Sequence, residues 1–144
     1  MERTEMIREL YASINEDDRL IRSRHGQLEY FITMHYIHRF LQPGDRVLEI
    51  GAGTGRYSIA LAREGCSVSA VELVESNLET LKANAGEAPN LTAFQGDALS
   101  LGRFADDSFD VTLLFGPMYH LYERADQDRA IAEARRVTRP GGSV

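Results

Sequence analysis

The sequence holds one cysteine, Cys66, and no apolar run as long as the roughly 20 residues that a bilayer-spanning helix requires. A single thiol excludes an internal disulfide and a cysteine-based metal cluster, and it fits a reducing compartment. Residues 1–5 are mostly charged and lead directly into an amphipathic pattern, so no secretory signal is visible. We therefore expect a cytoplasmic protein with no membrane partner and no metal site.

Basic side chains are outnumbered, because 16 lysines and arginines stand against 22 acidic residues and give a net charge of −6. A protein that binds the phosphate backbone of nucleic acids concentrates positive charge on part of its surface. The arginine-rich segments here are residues 19–24, beside Asp17 and Asp18, and residues 135–139, where a predicted helix ends and basic side chains suit its dipole. The charge balance favours a small-molecule substrate and predicts no nucleic-acid partner.

The spacing of apolar residues predicts helices first and then an alternation of strands and helices. Helical spacing marks residues 7–14, and again Leu28, Phe31, Ile32, His35 and Tyr36 up to about Leu41. Further on, the patterns predict strands at 47–50, 67–72, 91–95 and 109–115 and helices at 55–64, 75–85 and 124–137. Such alternation predicts an α/β, Rossmann-like, mostly parallel sheet with flanking helices.

The last residues of the sequence resemble the start of a further strand. Residues 139–142 (RPGG) predict a turn, and Ser143 and Val144 predict the first step of a fifth strand. On this interpretation the strand at 109–115 is an exposed edge with unpaired backbone groups. Two copies of the chain are then expected to pair through that edge as a homodimer.

A glycine-rich loop, residues 49–55 (EIGAGTG), lies between a predicted buried strand and a predicted helix. Glycines there allow a tight turn and let a ligand approach the main chain. The dinucleotide fingerprint G-x-G-x-x-G is not matched, because Gly55 arrives one residue early and Arg56 takes the place of the third glycine. The absence of a Gly-Lys-Ser/Thr sequence excludes a P-loop.

Acidic residues follow the next two predicted strands. Glu72 lies 21 positions after Gly51, where a carboxylate can accept hydrogen bonds from both ribose hydroxyls of a nucleoside. Asp97 ends the strand at 91–95 and can accept a hydrogen bond from an adenine amino group. Because open α/β sheets bind ligands at the carboxyl ends of their strands, these positions together predict a nucleoside ligand.

These segments resemble the motifs of class I S-adenosylmethionine-dependent methyltransferases, in the order found in that family. Residues 47–55 (VLEIGAGTG) resemble the first motif, and VE at 71–72, GD at 96–97, FDV at 109–111 and RPGG at 139–142 resemble the later ones. The resemblance implies S-adenosylmethionine as cofactor and S-adenosylhomocysteine as product. Residues 115–121 are similar to a segment of bacterial small-molecule members, which implies a small-molecule acceptor.

The resemblance also implies roles for individual residues. The cofactor-binding residues would be Glu49, Gly51, Ala52, Gly53 and Gly55 for the methionine part, Glu72 and Leu73 for the ribose, Asp97 and Ala98 for the adenine, and Phe115 and Gly116 near the methionine end. Residues 1–42 would form an N-terminal helical lid, with Tyr11, Arg22, His25, Tyr30 and His35, together with Tyr119, as candidates for contacting the substrate. Residues 43–144 would form a partial cofactor-binding domain that lacks the C-terminal strands of the family.

His120 is the candidate general base, because it follows the fourth strand and histidine titrates near neutrality. The alternative is a histidine that caps the next helix or packs under the lid. At the level of function, the leading hypothesis is an enzyme that transfers a methyl group to a small molecule. A non-catalytic S-adenosylmethionine-binding fragment is the second, and an NAD-dependent oxidoreductase, opposed by Arg56 and Asp97, is the third.

Overall fold

A computed structural model describes residues 2–144, so residue 1 of the expected lid lies outside the described residues. Two helices, α1 (Arg3–Ala12) and α2 (Arg24–His38), precede the sheet. A short 3-10 turn at Glu16–Asp18 lies between them. The Ser23 hydroxyl oxygen accepts a hydrogen bond of 3.0 Å from the backbone N–H of Gly26 and so caps α2 at its start.

The rest of the chain alternates strands and helices around one parallel sheet. The elements are β1 (Arg46–Ile50), α3 (Arg56–Arg63), β2 (Ser67–Glu72), α4 (Glu75–Ala85), β3 (Leu91–Gln95), β4 (Phe109–Leu114), α5 (Arg124–Val137) and β5 (Thr138–Ser143). The strand order is β3-β2-β1-β4-β5, with every neighbouring pair parallel. The chain reverses its direction across the sheet between β1 and β4, which is where open α/β sheets bind ligands. The predicted Rossmann-like fold is confirmed.

Both faces of the sheet are covered, as buried parallel strands require. Val47 of β1 packs with α2 and α3 on one face, in a cluster that includes Met34 and Leu61. Its neighbour Leu48 points to the other face and packs with α5. Ala130, Ala134 and Val137 of α5 have no exposed surface, and their small size lets this helix lie close to the sheet.

The expected exposed edge at β4 is wrong, because residues 139–142 belong to β5 and not to a turn. β5 pairs with β4 at Phe109↔Thr138 and Val111↔Ser143, with an irregularity between the two pairs. Gly141 has a φ of +76° and supplies the extra backbone bend, while Pro140 is tolerated because an outer strand needs no donor on its free side. The predicted homodimer through β4 therefore loses its basis.

Within residues 2–144, no helix combines the length and the apolar composition that a bilayer crossing demands.

Candidate functional site

A cavity of about 640 Å³ lies at the carboxyl ends of β1 to β4, under α1 and the middle of α2. Sites for small ligands commonly have volumes of roughly 300–1,000 Å³. Its wall contains most of the residues that the sequence predicts for the site: Glu49, Gly51, Ala52, Gly53, Glu72, Leu73, Asp97, Ala98, Phe115, Gly116, Tyr11, Tyr119 and His120. The predicted residues that do not line it are Gly55, Arg22, His25, Tyr30 and His35.

Glu49 is a buried carboxylate in an otherwise apolar strand, with 3% of its surface exposed. Its Oε2 accepts a hydrogen bond of 3.0 Å from the backbone N–H of Ser58 and another from the Ser58 hydroxyl. Burial raises the pKa of Glu49 to about 7, and the bonds from Ser58 oppose that rise only in part. The side chain therefore changes charge close to neutral pH.

The loop after β1 turns tightly and presents main chain to the cavity. Gly51 has a φ of +76°, and a Cβ added there would lie 2.5 Å from Cδ of Pro117. The Gly53 N–H donates a 2.7 Å hydrogen bond to Oε2 of Glu72, which fixes the loop to the end of β2. The absence of a side chain at Gly51 thus allows the loop to approach the residues after β4 closely.

Gly55, which the resemblance implies as a contact of the methionine part, does not line the cavity. It precedes α3 with a φ of +91°, and a Cβ there would lie 2.7 Å from Cγ of Leu81 in α4. The residue is buried between the two helices and does not reach the cavity wall. Its glycine is explained by the turn and by helix packing.

Glu72 and Asp97 project from the ends of β2 and β3 onto the same wall. Besides its bond from Gly53, Glu72 accepts through Oε1 a hydrogen bond of 2.8 Å from the Val74 N–H. Burial raises the pKa of Glu72. Oδ1 of Asp97 accepts a hydrogen bond of 3.0 Å from the Leu99 N–H. The other oxygen of Asp97 forms an ion pair with Arg3, at the start of α1. The first helix is thereby attached to the end of β3.

Tyr11 of α1 and His120 meet inside the cavity. The Tyr11 hydroxyl lies 3.0 Å from Nε2 of His120, and the rings form an edge contact with centroids 5.6 Å apart. Burial, reinforced by the charge of Arg3, lowers the pKa of His120, and burial raises the pKa of Tyr11. At neutral pH the imidazole is therefore uncharged and the phenol protonated, so the hydroxyl can donate to Nε2 when the ring proton sits on Nδ1.

The remaining substrate candidates lie away from the cavity or at its rim. His25 and His35 are on the exposed side of α2, and Arg22 lies 3.9 Å from Asp18 on the surface. Tyr30 stands behind the wall, stacked on Tyr57 with ring centroids 5.4 Å apart. Tyr119 lies at the mouth of the cavity, where 80% of its surface is exposed.

The cavity wall also contains charged residues that the sequence analysis did not assign to the site. Arg19 binds Glu16 at 2.7 Å and Glu29 at 2.9 Å, which links the 3-10 turn to α2. Arg56 donates a hydrogen bond of 2.8 Å to the Asp17 carbonyl oxygen and so joins α3 to the same turn. The sequence offered one signal for Arg56, its position in place of the fingerprint's third glycine, but none for Arg19.

No three His, Cys, Asp or Glu side chains come together as possible metal ligands anywhere in residues 2–144. The polar groups of the cavity are instead carboxylates, the guanidinium groups of Arg3, Arg19 and Arg56, backbone N–H groups, phenols and one imidazole. Carboxylates accept hydrogen bonds from hydroxyl and amino groups and pair with ammonium groups. The carboxylates of the cavity can thus hold a molecule rich in hydrogen-bond donors, and its guanidinium groups can hold an acceptor or an anionic group.

Comparisons with known proteins agree with this geometry. A family model described as "Methyltransferase domain" matches residues 47–142. The demethylmenaquinone methyltransferase of Renibacterium salmoninarum is 41% identical over 103 residues, which are 71% of this chain and 40% of that protein. The corresponding enzyme of Streptomyces avermitilis is 38% identical over 104 residues, 72% of this chain and 42% of that one. The chain thus spans about two fifths of the length of these curated relatives.

Solved structures show the same fold. A SAM-dependent methyltransferase from Methanosarcina mazei has a TM-score of 0.68 and 28% identity, covering 74% of this chain and 53% of that one. The PH0226 protein of Pyrococcus horikoshii has a TM-score of 0.79 and 23% identity, covering 93% and 62%, and supports the fold alone. The predicted cofactor, S-adenosylmethionine, is confirmed, whereas the NAD-dependent alternative receives no support. The chain belongs to the methyltransferase-domain family of class I S-adenosylmethionine-dependent enzymes.

Proposed function

We propose that this chain is the cofactor-binding part of an enzyme that transfers a methyl group from S-adenosylmethionine to a small molecule. The observation that carries the proposal is the convergence of Glu49, Glu72 and Asp97, from three neighbouring strands, on one cavity beside a glycine loop. Ammonium, ribose hydroxyl and adenine amino groups are all donors, so three carboxylates complement the cofactor along its length. The volume of the cavity fits a ligand of that size.

The residues divide the cofactor among themselves by position. Glu49 and the main chain at Gly51 and Gly53 would hold the methionine part, Glu72 the ribose, and Asp97 the adenine. When bound, S-adenosylmethionine supplies a methyl group already activated by its sulfonium. The protein therefore has to orient the acceptor, exclude water and, where the acceptor carries a hydroxyl, accept its proton.

Residues 2–42 are proposed as the lid over this site. Arg3 pairs with Asp97, Tyr11 with His120, and Arg56 with the Asp17 carbonyl, so three contacts attach the N-terminal segment to the cavity. A Cβ added to Gly53 would lie 3.5 Å from Cγ of Glu16, so this segment covers the loop at about van der Waals distance. A cover of this kind excludes water from the acceptor.

His120 is proposed as the base that accepts the proton, with Tyr11 as a positioning residue. His120 is uncharged at neutral pH because its pKa is lowered, so Nε2 has a lone pair available. The Tyr11 hydroxyl occupies that lone pair, and an acceptor hydroxyl that enters the cavity would replace it or pass its proton through it. Tyr11 keeps the imidazole in the tautomer that accepts at Nε2.

A hydroxylated aromatic ring is the acceptor class we propose. The support is the likeness to demethylmenaquinone methyltransferases and the aromatic wall of the cavity. Tyr57 and Phe115 line it with an edge contact at 5.9 Å between ring centroids. Planar apolar surfaces of this type favour a planar ligand over an aliphatic one.

Calorimetric titration of the chain with S-adenosylhomocysteine and with NAD in parallel tests the proposal. We expect saturable binding of S-adenosylhomocysteine and none of NAD. Glu72→Ala should weaken binding by about 1–3 kcal/mol, the scale of a lost hydrogen bond to a charged group. Glu75→Ala, an exposed carboxylate three residues further on, is the matched control and should leave affinity unchanged. Binding of NAD alone, or equal affinity in both variants, would contradict the assignment.

A further inference from the structure

Helix α2 carries an apolar stripe on its exposed side. Leu28, Phe31, Ile32 and Tyr36 follow helical spacing, and Phe31 and Leu28 are 74% and 57% exposed. These are the residues whose periodicity predicts the helix from the sequence. The structure buries Gly26, Met34 and Ile37 of α2 instead, so the most regular apolar stripe of the helix packs against nothing within residues 2–144.

The exposed side of α2, which we call the outer face, is defined by Arg24, His25, Leu28, Phe31, Ile32, His35, Tyr36 and Arg39. Its members that can carry a positive charge are two arginines and two histidines, and it contains no carboxylate. The Arg39 guanidinium lies over the Tyr36 ring, 5.7 Å from its centroid. The outer face thus combines large apolar side chains with arginines, although the chain as a whole has a net charge of −6.

The carboxylates that border the outer face are engaged by other residues. Glu29 is the one acidic residue of α2, and both of its oxygens are bound by Arg19, at 2.9 and 3.0 Å. Glu64, across from the end of the helix, lies 2.7 Å from Nε2 of His38. No ion pair involves Arg24 or Arg39 among the described residues. Their positive charges therefore face outward uncompensated.

We propose that the outer face docks on the surface of an anionic lipid bilayer. An amphipathic helix with large apolar and aromatic side chains beside arginines lies in the headgroup region, apolar side inward. The arginines reach the lipid phosphates while their stems remain among apolar groups. Charges beyond about 10 Å are screened, so the local cationic face governs the contact despite the acidic chain.

A second copy of the chain fits the same face less well. Two-fold pairing brings the same surface together with itself, so an antiparallel arrangement sets Arg24 of one copy near Arg39 of the other. That arrangement places like charges opposite each other in a partly desolvated interface, with no carboxylate on the outer face to compensate them. Phosphate-bearing lipids supply the missing negative charge.

Docking would bring the cavity close to the bilayer. Glu29 and Thr33 of the same helix line the cavity. Around α2 they lie next to Ile32 and Tyr36 of the outer face. A lipid-soluble acceptor could then reach the cavity without crossing bulk water. This last step rests on the proposed function, whereas docking itself does not require it.

Vesicle binding by the full chain tests docking without any measurement of activity. The chain contains no tryptophan, so Phe31→Trp places a single fluorescent reporter on the outer face. Vesicles of phosphatidylcholine mixed with phosphatidylglycerol should shift its emission to shorter wavelength and sediment the protein. Vesicles of phosphatidylcholine alone should bind the protein about tenfold more weakly or worse.

Matched variants separate the contributions of the face. The double variant Leu28→Ser/Phe31→Ser should lose about tenfold or more of its binding to anionic vesicles, whereas Ile131→Ser, an exposed apolar change on α5, should lose none. Arg24→Glu/Arg39→Glu should lose as much as the serine pair. Circular dichroism verifies that each variant is folded, and titration with S-adenosylhomocysteine reports separately on the cofactor site.

Two results would overturn the proposal. One is equal or absent binding to both kinds of vesicle by the parent chain. The other is a dimer in sedimentation velocity that dissociates on Leu28→Ser/Phe31→Ser, which would assign the outer face to a second copy. Loss of cofactor binding with vesicle binding intact would count against the proposed function and leave docking standing.

Discussion

Glu49 places an ionisable group in the centre of the sheet, where its protonation is tied to folding. Its pKa of about 7 in the folded protein lies above the ordinary value of 4.5. The folded state therefore binds more protons than the unfolded state between these pH values. Stability conferred by the protonated carboxyl is fully present at low pH and is lost as the pH rises from 4.5 through about 7.

Glu49→Gln should remove this pH dependence while preserving the shape of the side chain. The amide oxygen can still accept from the Ser58 N–H, and no charge develops on raising the pH. We expect the free energy of unfolding of the variant, relative to the parent, to increase by about 1–3 kcal/mol between acidic and mildly alkaline pH. Urea unfolding across that range measures it, with the exposed Glu75→Gln as control. A difference that stays constant with pH would refute the assigned pKa shift.

The contact between Tyr11 and His120 makes a second prediction at this scale. Burial and the charge of Arg3 lower the pKa of His120, and a hydroxyl that donates to Nε2 stabilises the uncharged imidazole further. In Tyr11→Phe the pKa of His120 should therefore rise, and a methyl-transfer reaction that needs the neutral imidazole should lose rate at acidic pH. An NMR titration of the histidine rings measures the shift. His25, on the outside of α2, supplies the internal control, and an unchanged His120 titration would argue against the hydrogen bond.

The residues of the site divide by how they reach it. Glu72 and Asp97 could be predicted because the end of a strand can be identified in the sequence, and parallel strands bring their ends together. Arg3 could not, since it is 94 positions from Asp97 and meets it only when α1 folds over the sheet. His25 and His35 do not reach the cavity because α2 turns its other side toward the protein. Arg22 precedes α2 and lies on the surface beside Asp18.

At the scale of elements, the loop between β1 and α3 depends on a glycine in close contact with another segment. Gly51 and Gly44 have nearly the same φ, +76° and +79°, yet their surroundings differ. A Cβ on Gly51 would lie 2.5 and 2.6 Å from Cδ and Cγ of Pro117, whereas one on Gly44 would meet nothing within 4 Å. The pair therefore separates backbone strain from steric conflict.

Gly44→Ala should destabilise the protein by about 1 kcal/mol, the cost of a left-handed alanine. Gly51→Ala should cost about 1–3 kcal/mol more, because a proline ring cannot rotate away and the loop or the residues after β4 must move. The change in unfolded-state entropy is the same for both and cancels in the comparison. Urea unfolding measures the two values, and equal destabilisation would mean that the loop relaxes freely.

Most elements could be predicted because their patterns are local. β2, β3, α4 and α5 match the expected residues, since alternation, helical spacing and glycine at the ends mark them. The sequence predicts the start of β5 at Ser143 instead of Thr138, because the strand contains Pro140, Gly141 and Gly142, which locally favour a turn. What makes it a strand is pairing with β4, a tertiary interaction with no local signature.

At the scale of the whole molecule, one carboxylate joins three strands at the end of the sheet opposite the cavity. Asp110 of β4 accepts hydrogen bonds of 2.8 Å from the Arg46 backbone N–H, of 3.0 Å from the Arg46 side chain and of 2.7 Å from Nε of Arg139. Hydrogen bonds and charge from Arg46 and Arg139 hold the pKa of Asp110 well below its usual range. This staple attaches β5 to β1 through β4.

Asp110→Ala should lower the free energy of unfolding by about 1–2 kcal/mol and speed hydrogen exchange in β5, without changing affinity for S-adenosylhomocysteine. Because the folded pKa is depressed, the contribution is present above the ordinary pKa of 3.8 and is lost as the pH falls below it. The parent and the variant should therefore converge in acid. Asp128→Ala, which removes an exposed pair with Arg124, is the control and should cost less than about 0.5 kcal/mol.

The ion pair between Arg3 and Asp97 has a consequence for the order of events in turnover. Under the proposed function the Arg3 guanidinium and the adenine amino group approach the same carboxylate, so entry of the nucleoside competes with the contact that holds α1 to the sheet. Binding of S-adenosylmethionine and release of S-adenosylhomocysteine would then each require α1 to move. The slowest step of the cycle would in that case be the movement of the N-terminal segment, because the carboxylate that holds α1 is also the one that receives the nucleoside.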